Sequence, residues 1–111
     1  MERERVNPIT LKNEETGEEY TLEFNRTTIM AAERMGFRIK TFEETPMTSF
    51  GILWYCAFKM HHPDMTPMKA DKMLDQIDKE MREKLFPRLY DLYLAGAESL
   101  SDQNPKVTVI L

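Results

Sequence analysis

The chain has 111 residues, 41% apolar and 31% charged, which is the composition of a globular domain rather than of a disordered chain. A chain of this length has room for one hydrophobic core. The net charge of −4 excludes a basic surface for nucleic acid, and the longest apolar run, residues 50–59, is much shorter than the roughly 20 residues that span a membrane.

The cysteine content and the first residues of the chain indicate the cellular compartment in which the protein is expected. The single cysteine, Cys56, cannot form an internal disulfide and favours a reducing compartment. The opening sequence MERERVNP carries charges of both signs and lacks the apolar stretch of a signal peptide. We therefore expect a cytoplasmic protein.

The first predicted element is a β-hairpin. Residues 6–11, VNPITL, and residues 19–24, EYTLEF, are β-prone segments separated by the turn-forming sequence NEETGE. In the second segment apolar and polar residues alternate, which places Tyr20, Leu22 and Phe24 on one face. This apolar face requires a cover from another element.

A short helix is predicted next, beginning at Asn25 or Thr27 and ending at Gly36. Either polar side chain can cap the first turn, and glycine readily adopts the left-handed conformation that ends a helix. The apolar side of this helix is expected to lie across the hairpin. The segment RIKTFEE then predicts a third short strand. Its inward-facing residues are expected to be Phe37, Ile39 and Phe42.

The most apolar segment of the chain predicts a buried central helix. Threonine caps a first helical turn and proline suits the first helical position, so Thr45 and Pro46 mark its start. His62 is its expected end, because Pro63 cannot continue the helix. Apolar residues cover nearly the whole circumference between these points, so the helix is expected to be surrounded by other elements.

Two further helices are predicted after this one. Thr66 and Pro67 repeat the start signal. The apolar stripe of the helix that follows is expected at Met73, Leu74, Ile77 and Met81. Pro87 interrupts the helical pattern, so we expect a new helix to start at about Phe86.

Together these elements predict an α+β fold, with a small N-terminal β-hairpin or three-stranded sheet packed on a mainly α-helical domain of about four helices. Residues 1–98 form the predicted single domain. Residues 99–111 form a C-terminal tail, for which a short strand and a flexible segment both remain open.

A metal site or a nucleophile would have to come from one short segment, which contains Cys56, His61, His62 and Asp64. Adjacent helical residues point about 100° apart, whereas helical zinc ligands need spacings of three or four. Burial in the most apolar helix raises the pKa of a thiol and makes it unreactive. We therefore predict no metal, no cofactor and no catalytic residue, and interpret the histidines as the end of a helix.

The nine methionines are the one unusual feature of the composition. A flexible thioether fills irregular gaps in a core, and it also adapts to several partner surfaces. Both interpretations remain open from the sequence. The second favours a binding protein over an enzyme.

Two stretches of the chain carry a resemblance to a known family. The first is YTLEFNRTTIMAAERMGFRI, and the second is TPMTSFGILWYCAFKMHHPDMT, which is followed by a helix ending near LYDLYLAG. Over about residues 17–97 the chain resembles the small tail assembly chaperones encoded by long-tailed phages and by prophages of low-GC Gram-positive bacteria.

This resemblance implies a non-enzymatic protein of the host bacterial cytoplasm. Members of that family coat the phage tape measure protein, recruit the tail tube protein and are absent from the mature virion, and a longer frameshifted form is often made. Self-association into a homo-oligomer is left open, and neither nucleic acid nor a membrane is an expected partner. The alternative is a structural phage tail or head-tail connector component.

Partner binding is the only kind of site predicted. An apolar, β-prone end of a chain readily adds to the edge of another sheet. Tyr90 and Tyr93 are further candidates, for which packing in the core is the alternative explanation. The predicted partner-binding residues are Tyr90, Tyr93, Val107, Val109, Ile110 and Leu111.

Overall fold

The computed structural model describes residues 7–102 and Ile110, and it has the predicted α+β architecture. A two-stranded sheet is followed by four α-helices, with one short 3-10 turn between the first two helices. The elements are β1 (Ile9–Lys12), β2 (Glu19–Leu22), α1 (Arg26–Arg34), the 3-10 turn (Ile39–Thr41), α2 (Pro46–Lys59), α3 (Pro67–Asp75) and α4 (Lys79–Asp102). Within this described part no helix is both long and apolar enough to cross a bilayer.

The hairpin forms as predicted. β1 and β2 are antiparallel, with Leu11 opposite Tyr20 and Ile9 opposite Leu22. The alternating residues Tyr20, Leu22 and Phe24 are all buried. Gly17 in the connecting turn has φ +78°, a left-handed conformation that glycine adopts without steric cost.

Helix α1 begins and ends at two of the predicted residues. The Asn25 side chain accepts a hydrogen bond from the Thr28 amide, and the Thr28 hydroxyl accepts one from the Asn25 amide, both at 2.9 Å. Gly36 follows the helix with φ +106°. The helix packs mainly on α2 and α4, and the helix that covers the hairpin is α2 rather than α1.

The predicted third strand is absent from the described residues, and this expectation was wrong. Residues 39–41 form a 3-10 turn, and Ile39 is 51% exposed instead of facing inward. The reason lies at the outer edge of β2, where the Glu23 amide already donates a hydrogen bond to the Ala57 carbonyl at 3.0 Å. Because α2 occupies this edge, no third strand can pair there. Phe37 is buried as predicted, and Phe42 is half-buried.

Helix α2 is the central element, as its composition predicts. It contacts α1, α3, α4 and β2, and its residues Leu53, Trp54 and Phe58 are almost fully buried. The Trp54 indole Nε1–H donates a buried hydrogen bond to the Ala70 carbonyl at 2.8 Å, which fastens α2 to α3. Regular α-helix ends at Lys59, before the predicted end at His62.

The boundaries of the last two helices, α3 and α4, differ from the predicted ones. Thr66 caps α3 as expected, but α3 ends at Asp75, so the predicted stripe does not continue to Met81, which is 53% exposed. α4 begins just after Asp78, whose carboxylate accepts the Met81 amide hydrogen bond at 2.8 Å. It continues through Pro87, so the expected new start at Phe86 was wrong.

Packing explains why α4 tolerates its proline. A proline inside a helix costs about 3 kcal/mol relative to alanine. On either side of it Leu85 and Leu89 are buried in the core, and burying one leucine side chain contributes roughly 2 kcal/mol. Pro87 itself is exposed. The predicted domain boundary at residue 98 lies inside α4.

Candidate partner-binding groove

Cys56 lies in the interior of the domain. Its side chain has no exposed surface, and its Sγ lies 3.8 Å from the Met35 Sδ. Burial raises the pKa of this thiol to about 11. At neutral pH the group is therefore a protonated, inaccessible thiol and a poor nucleophile.

His61 and His62, which follow α2, contact β2 and the residue just after it. The Thr21 backbone amide donates a hydrogen bond to the His62 Nε2 at 3.0 Å, and the His61 Nε2 lies 2.8 Å from the Glu23 Oε1. The His62 ring also packs edge-on against Tyr20, with ring centroids 5.1 Å apart. Both side chains thus connect the end of α2 to β2, a role that only the tertiary contacts reveal.

The side chains of Cys56, His61, His62 and Asp64 do not come together around a position that a metal ion could occupy. Among residues 7–102, no group of three or more His, Cys, Asp or Glu side chains is arranged to hold a metal. His61 and His62 are directed to β2, and Asp64 is exposed in the loop before α3. No site with the geometry of an acid-base or nucleophilic centre is formed by these four side chains.

A groove lies between the 3-10 turn and α4. It has a volume of about 510 Å³ and is open to solvent. Phe42 forms its wall, with its ring centroid 4.8 Å from that of Phe86 and 5.3 Å from that of Tyr90. Ile39 stands exposed at its edge. The groove is therefore aromatic on one side and aliphatic on the other.

A second depression of about 430 Å³ adjoins the first. The two share Ile39 and Lys40, and the second is bounded by Phe37 and Tyr93. Tyr93 is only 6% exposed, and burial raises the pKa of its hydroxyl. We call the two depressions together the α4 groove.

Charged residues of both signs line the α4 groove. Glu33 and Arg38 border the second depression, Lys40 borders both, and Glu43 borders the first. A guanidinium nitrogen of Arg38 donates hydrogen bonds to the carbonyls of Glu33 and Phe37, at 2.8 and 2.7 Å. The groove thus has an apolar floor and a mixed-charge rim, the arrangement typical of a protein interface.

The predicted partner-binding residues separate into two groups. Tyr90 lines the α4 groove and Tyr93 borders it, although Tyr93 contributes mainly to the core through edge contacts with Phe24 and Phe37. Ile110 is 93% exposed. The other predicted residues, Val107, Val109 and Leu111, lie outside the described part of the chain.

Sequence reasoning identified only Tyr90 and Tyr93 among the residues that line the groove, and the apolar residues that it missed include Ile39, Phe42 and Phe86. The sequence FPRLYDLY could have indicated Phe86, because it puts Phe86, Tyr90 and Tyr93 at positions i, i+4 and i+7 on one face of a helix. The exposure of Ile39 depends on the 3-10 turn, which replaced the predicted strand. No periodicity in the sequence indicates that turn.

Methionines account for most of the exposed large apolar side chains that the structure describes. Exposed fractions reach 87% at Met47 and 69% at Met68. The remaining exposed methionines are Met30, Met35, Met60 and Met81. Gap filling in the core does not account for side chains as exposed as Met47 and Met68, whereas the Met35 thioether does contact the buried Cys56.

These features define the class of the protein: a small α+β domain with an open, largely aromatic groove on its last helix. The chain belongs to the family described as a domain of unknown function, DUF5055, whose model matches residues 2–109. No curated protein and no solved structure matches the chain.

Proposed function

We propose that this protein is a non-enzymatic phage tail assembly chaperone that binds helical segments of the tape measure protein. The observation that supports the proposal best is the α4 groove, an open groove with an apolar floor and a rim of both charges beside the hydrophobic core. The resemblance over residues 17–97 supplies the identity of the partner. The α4 groove is the surface to which we expect the tape measure protein to bind.

The dimensions of the groove suit an amphipathic helix. Phe86 and Tyr93 are seven residues apart on α4, about 10 Å along its axis, and the two depressions follow one another along this line. A bound helix presents its own apolar side chains at i, i+3, i+4 and i+7, over the same length. Two or three such side chains would fill the two depressions.

The rim charges favour a partner that carries charges of both signs beside its apolar stripe. Lys40 and Glu43 lie on the same wall of the first depression, so a helix with an acidic and a basic residue one turn apart can pair with both. Exposed pairs of this kind contribute less than about 1 kcal/mol each to binding. Their main effect would be to set the orientation of the bound helix.

The chemistry of the segment 56–64 also favours a binding protein over an enzyme. The Cys56 thiol is buried, with its pKa raised to about 11, and His61 and His62 are engaged with β2. A general base has to reach a substrate, and the Cys56 thiol is enclosed by the core while the His62 ring is held against β2. We accordingly place the activity at the α4 groove, in the host cytoplasm, with recruitment of the tail tube protein as a later step.

The test is co-expression with the tape measure protein encoded in the same gene cluster, followed by affinity capture. Ile39→Asp puts a charge into the exposed edge of the groove without disturbing the core, because Ile39 is 51% exposed. Met68→Asp is the matched control, since Met68 is 69% exposed on α3 and lies outside the groove. We expect the wild type and Met68→Asp to keep the tape measure protein soluble and Ile39→Asp to lose it.

Two results would count against the proposal. One is the absence of any association with the tape measure protein. The other is detection of this chain by mass spectrometry in purified virions at the copy number of a structural protein, which would instead support the alternative of a tail or head-tail connector component.

A further inference from the structure

One edge of the sheet is closed by α2. The Thr21 amide donates to His62 and the Glu23 amide donates to the Ala57 carbonyl, so these two outward amides have their hydrogen-bond partners inside the domain. They are not available to a further strand on this side. β1 is therefore the more favourable edge for the addition of a strand.

Among the residues that the structure describes, no strand pairs with the other edge of the sheet, and the register shows which groups of β1 point outward. Thr10 is opposite Thr21, whose amide is directed away from β1 toward His62. In an antiparallel ladder such a pair exchanges no hydrogen bonds, so the amide and carbonyl of Thr10 also point away from β2. The same alternation turns the amide and carbonyl of Lys12 outward. The sheet formed by the described residues ends here, at β1.

An apolar groove adjoins this open edge. It has a volume of about 440 Å³ and lies between β1 and the end of α3. Leu11, Met73 and Ile77 line it, and each of them is half-buried. Backbone groups that point away from β2 and an apolar groove beside them are the two features that strand addition requires, since the backbone supplies affinity and the groove receives alternate side chains.

We propose that the open edge of β1 binds residues 106–111, KVTVIL, of a second copy of this chain. The segment alternates, so that Val107, Val109 and Leu111 share one face and can enter the groove beside Leu11. This proposal concerns self-association and does not depend on the proposed function.

Charge favours an antiparallel arrangement. In that direction Lys106 reaches the hairpin turn, where Glu14 and Glu15 are exposed at the end of the same groove. A parallel arrangement would carry Lys106 away from these carboxylates. In this arrangement Lys106 would pair with carboxylates at the turn, and the apolar residues of the tail would pack along β1.

The path of α4 favours a second copy over the chain's own tail. Arg88 lies beside the start of the hairpin, with its Nη2 3.4 Å from the Asn7 carbonyl. From there α4 leads toward α1, because Gly96 lies against Phe24 and Ile29. Asp102 is about 21 Å beyond Arg88 along the helix, whereas the chain from Asp102 to Lys106 spans about 14 Å when extended. This connection is shorter than the distance back to Arg88, so the same chain's tail reaches β1 poorly, whereas the tail of a neighbouring copy has no such limit.

The experiment combines four variants of the full chain with two measurements. Thr10→Pro removes the outward amide without breaking the hairpin ladder, and Thr10→Val keeps that amide. In the tail, Val109→Lys places a charge on the face expected in the groove, whereas Thr108→Lys places it on the opposite face. Light scattering after size exclusion reports the mass, and residue-level hydrogen exchange reports protection of the Thr10 and Lys12 amides.

We expect the wild type to form a dimer or a closed ring, with its two amides exchanging at least about tenfold more slowly than in Val109→Lys. Thr10→Pro and Val109→Lys should be monomeric, and Thr10→Val and Thr108→Lys should associate like the wild type. If circular dichroism shows that Thr10→Pro has not folded, the tail variants decide the question alone, because they leave the described fold unchanged.

Three outcomes overturn the proposal. Unprotected amides in the wild type mean that nothing binds the edge. Protected amides in a monomer mean that the chain's own tail is the occupant. Association that survives Val109→Lys means that the copies meet through another surface.

Discussion

The backbone amide of Thr21 and the side chain of His62 are joined by a hydrogen bond of 3.0 Å, although 41 residues separate them in the chain. The accepting Nε2 carries no proton in this bond, so the ring proton of a neutral His62 is on Nδ1. The contact closes the outer edge of β2. It also explains why the sheet has no third strand on that side.

Replacing His62 should therefore cost more than replacing its neighbour. His62→Ala removes the acceptor for a half-buried amide and an aromatic contact with Tyr20, which together should lower the free energy of unfolding by about 1–3 kcal/mol. His61→Ala removes an exposed side-chain contact with Glu23 and should cost less than about 1 kcal/mol. Urea denaturation measures both values. Equal losses would contradict the assigned role of His62.

The two helical glycines should respond oppositely to alanine. A Cβ at Gly96 would lie 2.8 Å from the Phe24 Cβ and 3.1 Å from the Phe24 carbonyl oxygen, so α4 must shift away from α1 and the sheet. We expect Gly96→Ala to destabilise the protein by about 1–3 kcal/mol. At Gly51 a Cβ would meet nothing within 4 Å, and helix propensity then favours alanine by roughly 0.5–1 kcal/mol.

Thermal unfolding of the two alanine variants, measured side by side, tests this contrast. The melting temperature should fall for Gly96→Ala and rise or stay unchanged for Gly51→Ala. A rise for both would mean that α4 is not held close to Phe24.

Trp54 is expected to be one of the costliest core positions. Trp54→Phe leaves a cavity at a fully buried site and removes the hydrogen bond from Nε1 to the Ala70 carbonyl, so a loss of about 2–4 kcal/mol is expected. Tyr55→Phe is the control on the next residue, which is only half-buried, and should change stability by less than about 1 kcal/mol. Chemical denaturation followed by circular dichroism measures both, since Trp54→Phe removes the only tryptophan.

Cys56 should be inert in the folded protein. Its thiol is fully buried, so it should react with a disulfide reagent only as fast as the protein unfolds, and at once in denaturant. Reaction of the native protein at the rate of a free thiol would contradict its placement in the core.

The raised pKa of Cys56 also predicts a loss of stability in alkali. Folding raises this pKa from 9.0 to about 11, so the folded state favours the protonated thiol. The stabilisation is complete below pH 9 and is lost as the pH rises toward about 11, with a total on the order of 3 kcal/mol. Burial also raises the pKa values of Tyr20 and Tyr93, which ordinarily titrate at 10.0, so they add to the loss at higher pH.

Denaturation at a series of pH values separates these contributions. Between pH 9 and 10 the decline should belong mainly to Cys56, because the tyrosines begin to ionise in the unfolded chain only near 10.0. Cys56→Ala should show a smaller decline over that interval than the wild type does. An identical decline would assign the effect to other groups.

Local features of the chain predicted its capped and alternating segments well. The hairpin, the cap at Asn25 and the start signal at Thr66 all depend on residues close together in sequence. The burial of α2 followed from apolar residues on nearly all of its sides. Helix capping and periodicity act over a few residues, so a sequence displays them directly.

The failures occurred where distant residues compete. Residues 38–44 were compatible with a strand, but contacts with α2 and His62 occupy the edge of β2 on which that strand would pair. Pro87 predicted a break, but packing on both sides of it keeps α4 continuous. In each case a tertiary contact outweighed a local preference of a few kcal/mol.

The sequence by itself determined the α+β class, the central buried helix and the burial of Cys56, because composition and periodicity decide which faces leave water. Only the tertiary structure decided where the open surfaces lie: the groove between Ile39 and Tyr90, and the edge of β1 that pairs with no other strand of the described residues. Those surfaces are what remains after every helix and strand has been packed, and a single segment contains no information about its neighbours in space.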